Sequence, residues 1–290
     1  MLLANDWKDY EIIDASCGEK LERWGKYYLL RPDPQIIWNN GNLSEKYKDK
    51  IDAIYHRSNK GGGYWENIKN IPPRWKVEYK NLVFNIKQMG FKHTGLFPEQ
   101  AANWDFMINK IKKENRKIKV LNLFAYTGGA TIACLSAHAS VCHVDSSKGM
   151  VDWCKENVKD NNLENEEIRY IVDDVVKFVK REIRREKKYD AIIMDPPSYG
   201  RGAGGEVWDI EKSLYYLVNL CKDILSDDPL FFLINSYTTG LSSKVLENIL
   251  SLTINKDYKG NITCGEIGIP IGKDELVLPC GIYGRWEKNE

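Results

Sequence analysis

The chain has no apolar run able to cross a bilayer: its most apolar stretch, residues 229–234, falls far short of the ~20 residues a spanning helix needs. The opening residues meet Asp6, Lys8 and Asp9 at once and contain no signal-peptide core, so a cytoplasmic chain is expected, with no membrane partner. An excess of either charge is missing as well. Lys plus Arg is 42 and Asp plus Glu is 41, a net of +1, which removes any global pull toward nucleic acid or anionic lipid. Seven cysteines make an odd set without a Cys-x-x-Cys pair, so neither a disulfide framework nor a zinc site is indicated and no metal is expected. They read as reduced side chains packed as small hydrophobes. There is no internal repeat and no low-complexity tract. What the chain does have, 290 residues that are 43% hydrophobic and 11% aromatic, suffices for one large domain plus an extension.

The order of periodicities divides the chain. Residues 1–92 read as a small β-rich extension. Runs 10–15 and 26–31 look like a hairpin joined by a polar connection containing Gly18 and Gly25, and runs 75–79 and 82–86 form an alternating pair after a loop at 61–63. The tryptophans and tyrosines here either pack the extension onto the main domain or offer faces for base stacking. Residues 1–116 carry +5 and the remainder −4, so the N-terminal part is the one to meet a polyanion, although solvated lysines explain the figure as well. Pro98 suits a first helical turn, and the helical pattern runs to about 115. Beyond it, strand-like runs at 119–124, 141–145, 168–172, 190–195 and 230–235 alternate with helix-like segments. That pattern implies a parallel sheet with helices on both faces, and the runs 261–267 and 276–283 imply an antiparallel hairpin at its edge. The expected fold is α/β and Rossmann-like, over residues 93–290.

In such a sheet ligands bind beyond the carboxyl ends of the strands. The first strand ends in Phe124, Ala125, Tyr126, Thr127 and Gly128, a tight turn that is neither Gly-x-Gly-x-x-Gly nor a P-loop, so a cofactor without phosphates fits it better than a dinucleotide. The second strand ends at Asp145, followed by Ser146, where a carboxylate can accept from both ribose hydroxyls of a nucleoside. The third is followed by Asp173 and Asp174, placed for an adenine amino group or, equally, for a helix N-cap. The fourth runs into Asp195-Pro196-Pro197-Ser198-Tyr199: the prolines fix the backbone and remove donors, and Tyr199 supplies a flat face for a planar substrate. The basic run 177–188 reads as a solvated helix face, or as a phosphate contact.

Together these stretches, with His93-Thr-Gly-Leu-Phe-Pro-Glu-Gln100, resemble the class I S-adenosylmethionine-dependent methyltransferases. Within them the chain is similar to the bacterial large-subunit ribosomal RNA group that modifies cytosine C5 or guanine N7. Residues 18–23, 31–34, 200–202 and 205–208 resemble a further branch of that group. The resemblance implies S-adenosyl-L-methionine as cofactor, with methionine-end contacts from Phe124 to Gly128, ribose contact from Asp145, adenine contact near Asp174, and ribosomal RNA as partner.

Two departures shape the substrate expectation. Ser198 separates the prolines from the aromatic, unlike the amino-methylating enzymes, and no cysteine follows the fifth strand, where residues 235–239 are Asn-Ser-Tyr-Thr-Thr. Cytosine C5 needs a thiolate to add to C6, and Cys264 and Cys280 lie in strand-like runs expected to be buried. A ring nitrogen such as guanine N7 needs only alignment with the methyl donor. The expected site therefore stacks a base on Tyr199, with Asp195 orienting the target or cofactor and residues 200–205 closing over it. Methylation of a non-RNA substrate, a cofactor-binding ribosome assembly factor without catalysis, and a nicotinamide-dependent oxidoreductase are the competing readings. Oligomeric state is not legible.

Overall fold

The protein is described by a computed structural model over residues 1–58, 62–202, 204–273 and 276–289. It divides into two compact units, Leu3–Ala101 with Gly268–Cys280, and Ala102–Ile267 with Met1–Leu2 and Gly281–Glu290.

After a two-residue strand β1 (Leu2–Leu3), the first unit carries β2 (Tyr10–Ser16), β3 (Glu19–Trp24), β4 (Tyr27–Pro32), α1 (Leu43–Lys46), β5 (Ala53–Arg57), β6 (Gly63–Asn67), β7 (Trp75–Tyr79) and β8 (Leu82–Ile86). Five strands form one sheet in the order β2-β3-β4-β5-β6, and β7-β8 is a separate antiparallel pair. Every pairing in the larger sheet is antiparallel except β4 with β5, the chain returning through α1 to pair parallel. The polar connection expected between 15 and 26 is itself a strand, β3, because Glu22 is buried on a partner rather than solvated. Of the loop expected at 61–63, Gly63 opens β6 and Gly61 lies outside the described residues. The aromatics pack within the unit: Trp7 meets Tyr10 and Tyr79, Tyr10 meets Trp24, Tyr27 meets Trp75 and Tyr55 meets Trp65, with centroids 4.6–5.8 Å apart.

A 3₁₀ turn (Pro98–Gln100) leads into α2 (Ala101–Lys113), and the alternation follows: β9 (Lys119–Leu123), α3 (Gly129–Ser136), β10 (Ser140–Asp145), α4 (Lys148–Asp160), β11 (Ile168–Val172), α5 (Val175–Arg184) and β12 (Ala191–Met194). A short ribbon, β13 (Tyr199–Arg201) and β14 (Val207–Asp209), precedes α6 (Ile210–Lys222), β15 (Phe231–Ser236), α7 (Ser243–Leu252), α8 (Ile254–Asp257), β16 (Gly260–Pro270) and β17 (Val277–Lys288). The eight-stranded sheet has the order β1-β16-β17-β15-β12-β9-β10-β11. Strands β9, β10, β11, β12 and β15 are parallel, and β17 runs antiparallel beside β15. This is the expected mostly parallel Rossmann-like sheet with an antiparallel edge.

The strands read as near-continuous apolar runs because both faces are covered. Phe231 turns toward Phe106 of α2, while Phe232 and Ile234 join a core with Phe178 of α5, Leu217 of α6 and Leu246 of α7. Strand β9 sits between β10 and β12, so the strand order reverses there, and the crevice of the fold opens at the carboxyl ends of these three strands. No helix among the described residues is long and apolar enough to cross a membrane.

Candidate active site

The turn after β9 is held in an uncommon backbone shape. Phe124 and Tyr126 have φ of 53° and 52°, left-handed values that bulky side chains rarely adopt, and Gly128 follows at 90°. Such strain persists only where surrounding contacts over-determine it. Here Ala125 N–H donates to the Val144 carbonyl at 3.0 Å, Tyr126 N–H to Asp145 Oδ2 at 2.9 Å, and Asn157 Nδ2 to the Thr127 carbonyl at 2.9 Å. The glycines are also required by space. A Cβ on Gly128 would stand 2.4 Å from Cys154 Sγ, and one on Gly129 would stand 2.9 Å from the Trp104 ring. Ala125 and Thr127 are buried under the turn, while Phe124 and Tyr126 are half-buried.

Asp145 ends β10 half-buried. Its Oδ1 accepts from Ser147 N–H at 2.8 Å, so each oxygen is held by one backbone donor and keeps a second lone pair. Burial raises its carboxyl above the usual range, and the two backbone bonds pull it back. A pair of hydroxyl donors would relieve that desolvation, which is the chemistry of a ribose diol. Ser146 is exposed beside it. Beneath the turn Asn122 Nδ2 donates to Thr131 Oγ1 at 3.0 Å, and Thr131 Oγ1 meets His143 Nδ1 at 2.9 Å. His143 is fully buried, Cys154 Sγ lies 3.5 Å from its Nδ1, and the ring also has a backbone hydrogen bond to Tyr126 in the turn. Burial pushes its ring down to about 3.

The two acids after β11 are already engaged. Asp174 is the N-cap of α5, accepting from Lys177 N–H at 2.8 Å, and Asp173 accepts from Asp174 N–H at 2.8 Å and pairs with Arg181. Asp173 N–H also donates to the Asp145 carbonyl at 3.1 Å, so the pair lies at the crevice with its carboxylates tied to the helix. The run 177–188 is thus not uniformly solvated: Arg181 holds Asp173, and Lys177 pairs with Glu206 at the ribbon's far end.

Asp195 follows β12 half-buried, its N–H 3.4 Å from the Leu123 carbonyl, and Pro196 is buried while Pro197 and Tyr199 are exposed. Of the loop expected at 200–205, Gly200 and Arg201 are paired in β13, Gly202, Gly204 and Gly205 lie in the bend of the β13–β14 ribbon, and Ala203 lies outside the described residues. Trp208 on that ribbon donates its indole N–H to the Pro197 carbonyl at 2.7 Å and packs against Phe124 with centroids 4.8 Å apart. Ser198 Oγ meets Thr238 Oγ1 at 2.7 Å, tying the proline turn to the segment after β15. The structure thus brings Phe124–Gly128, Asp145, Asp195 and the Asp-Pro-Pro turn to one crevice. Trp208, His143, Thr131 and Cys154 support it and were not singled out for a role from the sequence; the aromatic after the ribbon glycines was the one available signal.

Cysteine is buried or half-buried except Cys17. Cys264 and Cys280, expected to be buried, are half-buried, and burial raises both thiols, Cys264 to about 11. The stretch His93–Gln100 belongs to the other unit. There the His93 ring packs against Phe97 at 5.4 Å and is pushed down to about 4 by burial and by Arg31, Lys92 and Lys20. No group of three or more His, Cys, Asp or Glu among the described residues could hold a metal ion.

The strand order, the strained turn and the half-buried carboxylate at the end of β10 define a Rossmann-like protein that holds a nucleoside cofactor without a pyrophosphate. Comparison with known proteins narrows the class. The family model "Conserved hypothetical protein 95" matches residues 95–217. A crystal structure of a SAM-dependent methyltransferase from Agrobacterium tumefaciens is 33% identical and covers 99% of this chain and 93% of its own, with a TM-score of 0.93. The chain belongs to the S-adenosylmethionine (SAM)-dependent methyltransferases, and its cofactor is SAM. The oxidoreductase reading falls with that finding. Ribosomal RNA large subunit methyltransferase K/L of Syntrophotalea carbinolica is 27% identical over 219 residues, which is 73% of this chain and 30% of that protein. The chain thus spans about three-tenths of such curated relatives. The tRNA m1G37 methyltransferase of M. jannaschii, 14% identical with a TM-score of 0.55 over 97% of this chain and 74% of that one, shares the fold.

Proposed function

We propose that this chain transfers a methyl group from SAM to a base of ribosomal RNA, at a ring nitrogen such as guanine N7 in preference to cytosine C5. The observation that carries the reading is the Asp195-Pro-Pro-Ser-Tyr199 turn clamped beside the cofactor turn by Trp208, with Tyr199 left 55% exposed. The substrate class is supported by the K/L relatives. When bound, SAM supplies a sulfonium methyl that any aligned lone pair can take. Phe124 to Gly128 would face its methionine end and Asp145 its ribose, with Asp173, Asp174 and Ser146 lining the adenine side. Tyr199 stacks the base, Pro196 and Pro197 hold the turn rigid, and Asp195 orients the target nitrogen. Cys264 and Cys280, with their raised thiols, are poor nucleophiles for the C5 route. The ribosomal RNA reading supports a cytoplasmic location.

The test is transfer of radiolabelled methyl from SAM to total RNA, protein and metabolite fractions of a strain lacking the gene. Label in RNA, found as a ring-nitrogen-methylated nucleoside by mass spectrometry and reduced about a hundredfold or more by Asp195→Ala, is the expected result. Label confined to protein or metabolites overturns the RNA reading and leaves the cofactor untouched.

A further inference from the structure

The outward side of the β13–β14 ribbon continues onto the exposed flanks of α6 and α5. Strand alternation puts Tyr199 and Arg201 on one side with Val207 and Asp209 across from them, and leaves Gly200 and Trp208 on the other. Tyr199 and Val207 are 55% and 54% exposed. Arg201 is exposed and makes no ion pair with a described residue. At the start of α6, Lys212 is 83% exposed, pairs with Asp209 at 3.0 Å and stands within electrostatic reach of Tyr199. One helical turn further on the same face comes Tyr216, 46% exposed, with Lys180 Nζ 5.4 Å over its ring and Tyr215 beside it. On α5, Lys177, Lys180 and Arg184 lie at i, i+3 and i+7 along one face.

The acids facing this strip are Glu206, bound by Lys177, Asp209, bound by Lys212, and Glu211 next to it. Lys180, Arg184 and Arg201 have no carboxylate partner among the described residues, so the strip keeps unneutralised positive charge. Flat aromatic faces alternate with cations along it. A folded protein partner is better met by a contiguous apolar patch, and here charged side chains stand between Tyr199 and the Tyr215–Tyr216 pair. A single nucleic-acid strand has the matching alternation of base and phosphate.

We propose that Arg201, Lys212, Tyr216, Lys180 and Arg184 form the track for the single-stranded RNA that flanks the methylated nucleotide. The proposal rests on the reading of an RNA base as substrate and adds the direction from which the strand arrives. The experiment compares the full-length wild type with a triple variant, Lys180→Gln, Arg184→Gln and Tyr216→Ala, on the RNA that the wild type methylates. The KM for RNA should rise about tenfold or more, and the slope of log affinity against log salt should fall by about one to two. Calorimetric affinity for S-adenosylhomocysteine and the melting temperature should stay at wild-type values. An unchanged KM and salt slope, with methylation intact, overturns the track and leaves the RNA reading standing. A wild type that methylates no RNA overturns both. Photocrosslinking the wild type to 4-thiouridine RNA supplies an independent measurement: adducts on the peptide containing Tyr216 support the track, and adducts found only elsewhere overturn it.

Discussion

A buried polar cluster in each unit can be set against the other, and the two are built in opposite ways. In the Leu3–Ala101 unit, Glu22 is fully buried and charged. Arg31 grips it with Nε on one oxygen at 2.5 Å and Nη2 on the other at 2.7 Å, Tyr10 donates to it at 2.6 Å, and Lys20 lies 3.7 Å away. Those partners hold its carboxyl down to about 2 despite burial. In the other unit, His143 is equally buried but neutral. Asn122 donates to Thr131, whose hydroxyl meets His143 Nδ1 at 2.9 Å, and a backbone hydrogen bond to Tyr126 in the turn above only partly offsets the effect of burial on the ring. A charge is tolerated inside where every lone pair is taken. Under the turn after β9 the chain buries an uncharged ring with no ionic partner among the described residues, and its neighbours serve the shape of the turn.

The largest effect should come from breaking the charged cluster. Arg31→Met leaves Glu22 buried with the Tyr10 hydroxyl and, as its one nearby cation among the described residues, Lys20, and should cost about 3–5 kcal/mol in urea unfolding at pH 7. Replacing both partners, Glu22→Leu with Arg31→Met, should recover more than half of that loss, because no buried charge is then left alone. A single variant within about 1 kcal/mol of wild type would show that the cluster is less closed than its geometry indicates. The pH dependence has a definite sign. The folded carboxyl lies below the ordinary 4.5, so its stabilisation is whole above pH 4.5 and is lost as pH falls toward about 2.

That same cluster hid a strand from sequence reading. Residues 19–24 are Glu-Lys-Leu-Glu-Arg-Trp, and four charges in six positions look like a solvated connection. In the sheet, Lys20 stands across from Arg31, which brings Glu22 and Arg31 together as diagonal neighbours on one face, and the charge of one cancels the sequence signal of the other. The parallel strands were legible because each is an apolar run that ends in a turn or a carboxylate. The acids at 173 and 174 were ambiguous for a physical reason: a carboxylate between a strand and a helix can serve a ligand or an N-cap, and the spacing is the same for both. Trp208 was visible as an aromatic near glycines, but its partners, Pro197 and Phe124, are 11 and 84 positions away, beyond any local pattern.

A smaller effect, about 2–3 kcal/mol, should separate the two clusters by pH. His143 has a folded value of about 3 against an ordinary 6.5, so its contribution is whole above pH 6.5 and is lost as pH falls from there toward 3. Glu22 gives nothing in the upper part of that window. His143→Asn keeps an acceptor near the Nδ1 position and removes the titration. Its unfolding free energy should therefore fall less than the wild type's between pH 6.5 and pH 4, a difference read by urea titration at a series of pH values. Parallel curves for the two proteins would mean that His143 is not held neutral.

The smallest effect on stability tests whether hydrogen bonds beside the crevice serve shape. Trp208→Phe keeps a ring against Phe124 and removes only the indole N–H from the Pro197 carbonyl. The carbonyl belongs to an exposed proline, so water can replace the donor, and the cost should be about 0.5–1.5 kcal/mol. The turn that carries Asp195 and Tyr199 would, however, lose its one bond to the ribbon's Trp208. Methyl transfer should then fall about tenfold, while calorimetric affinity for S-adenosylhomocysteine changes little, because the cofactor turn keeps its own ties to Val144, Asp145 and Asn157. If stability and cofactor affinity fall together with turnover, the ribbon is part of the fold's support, and the contrast between a cluster built for stability and a site built for shape fails at this point.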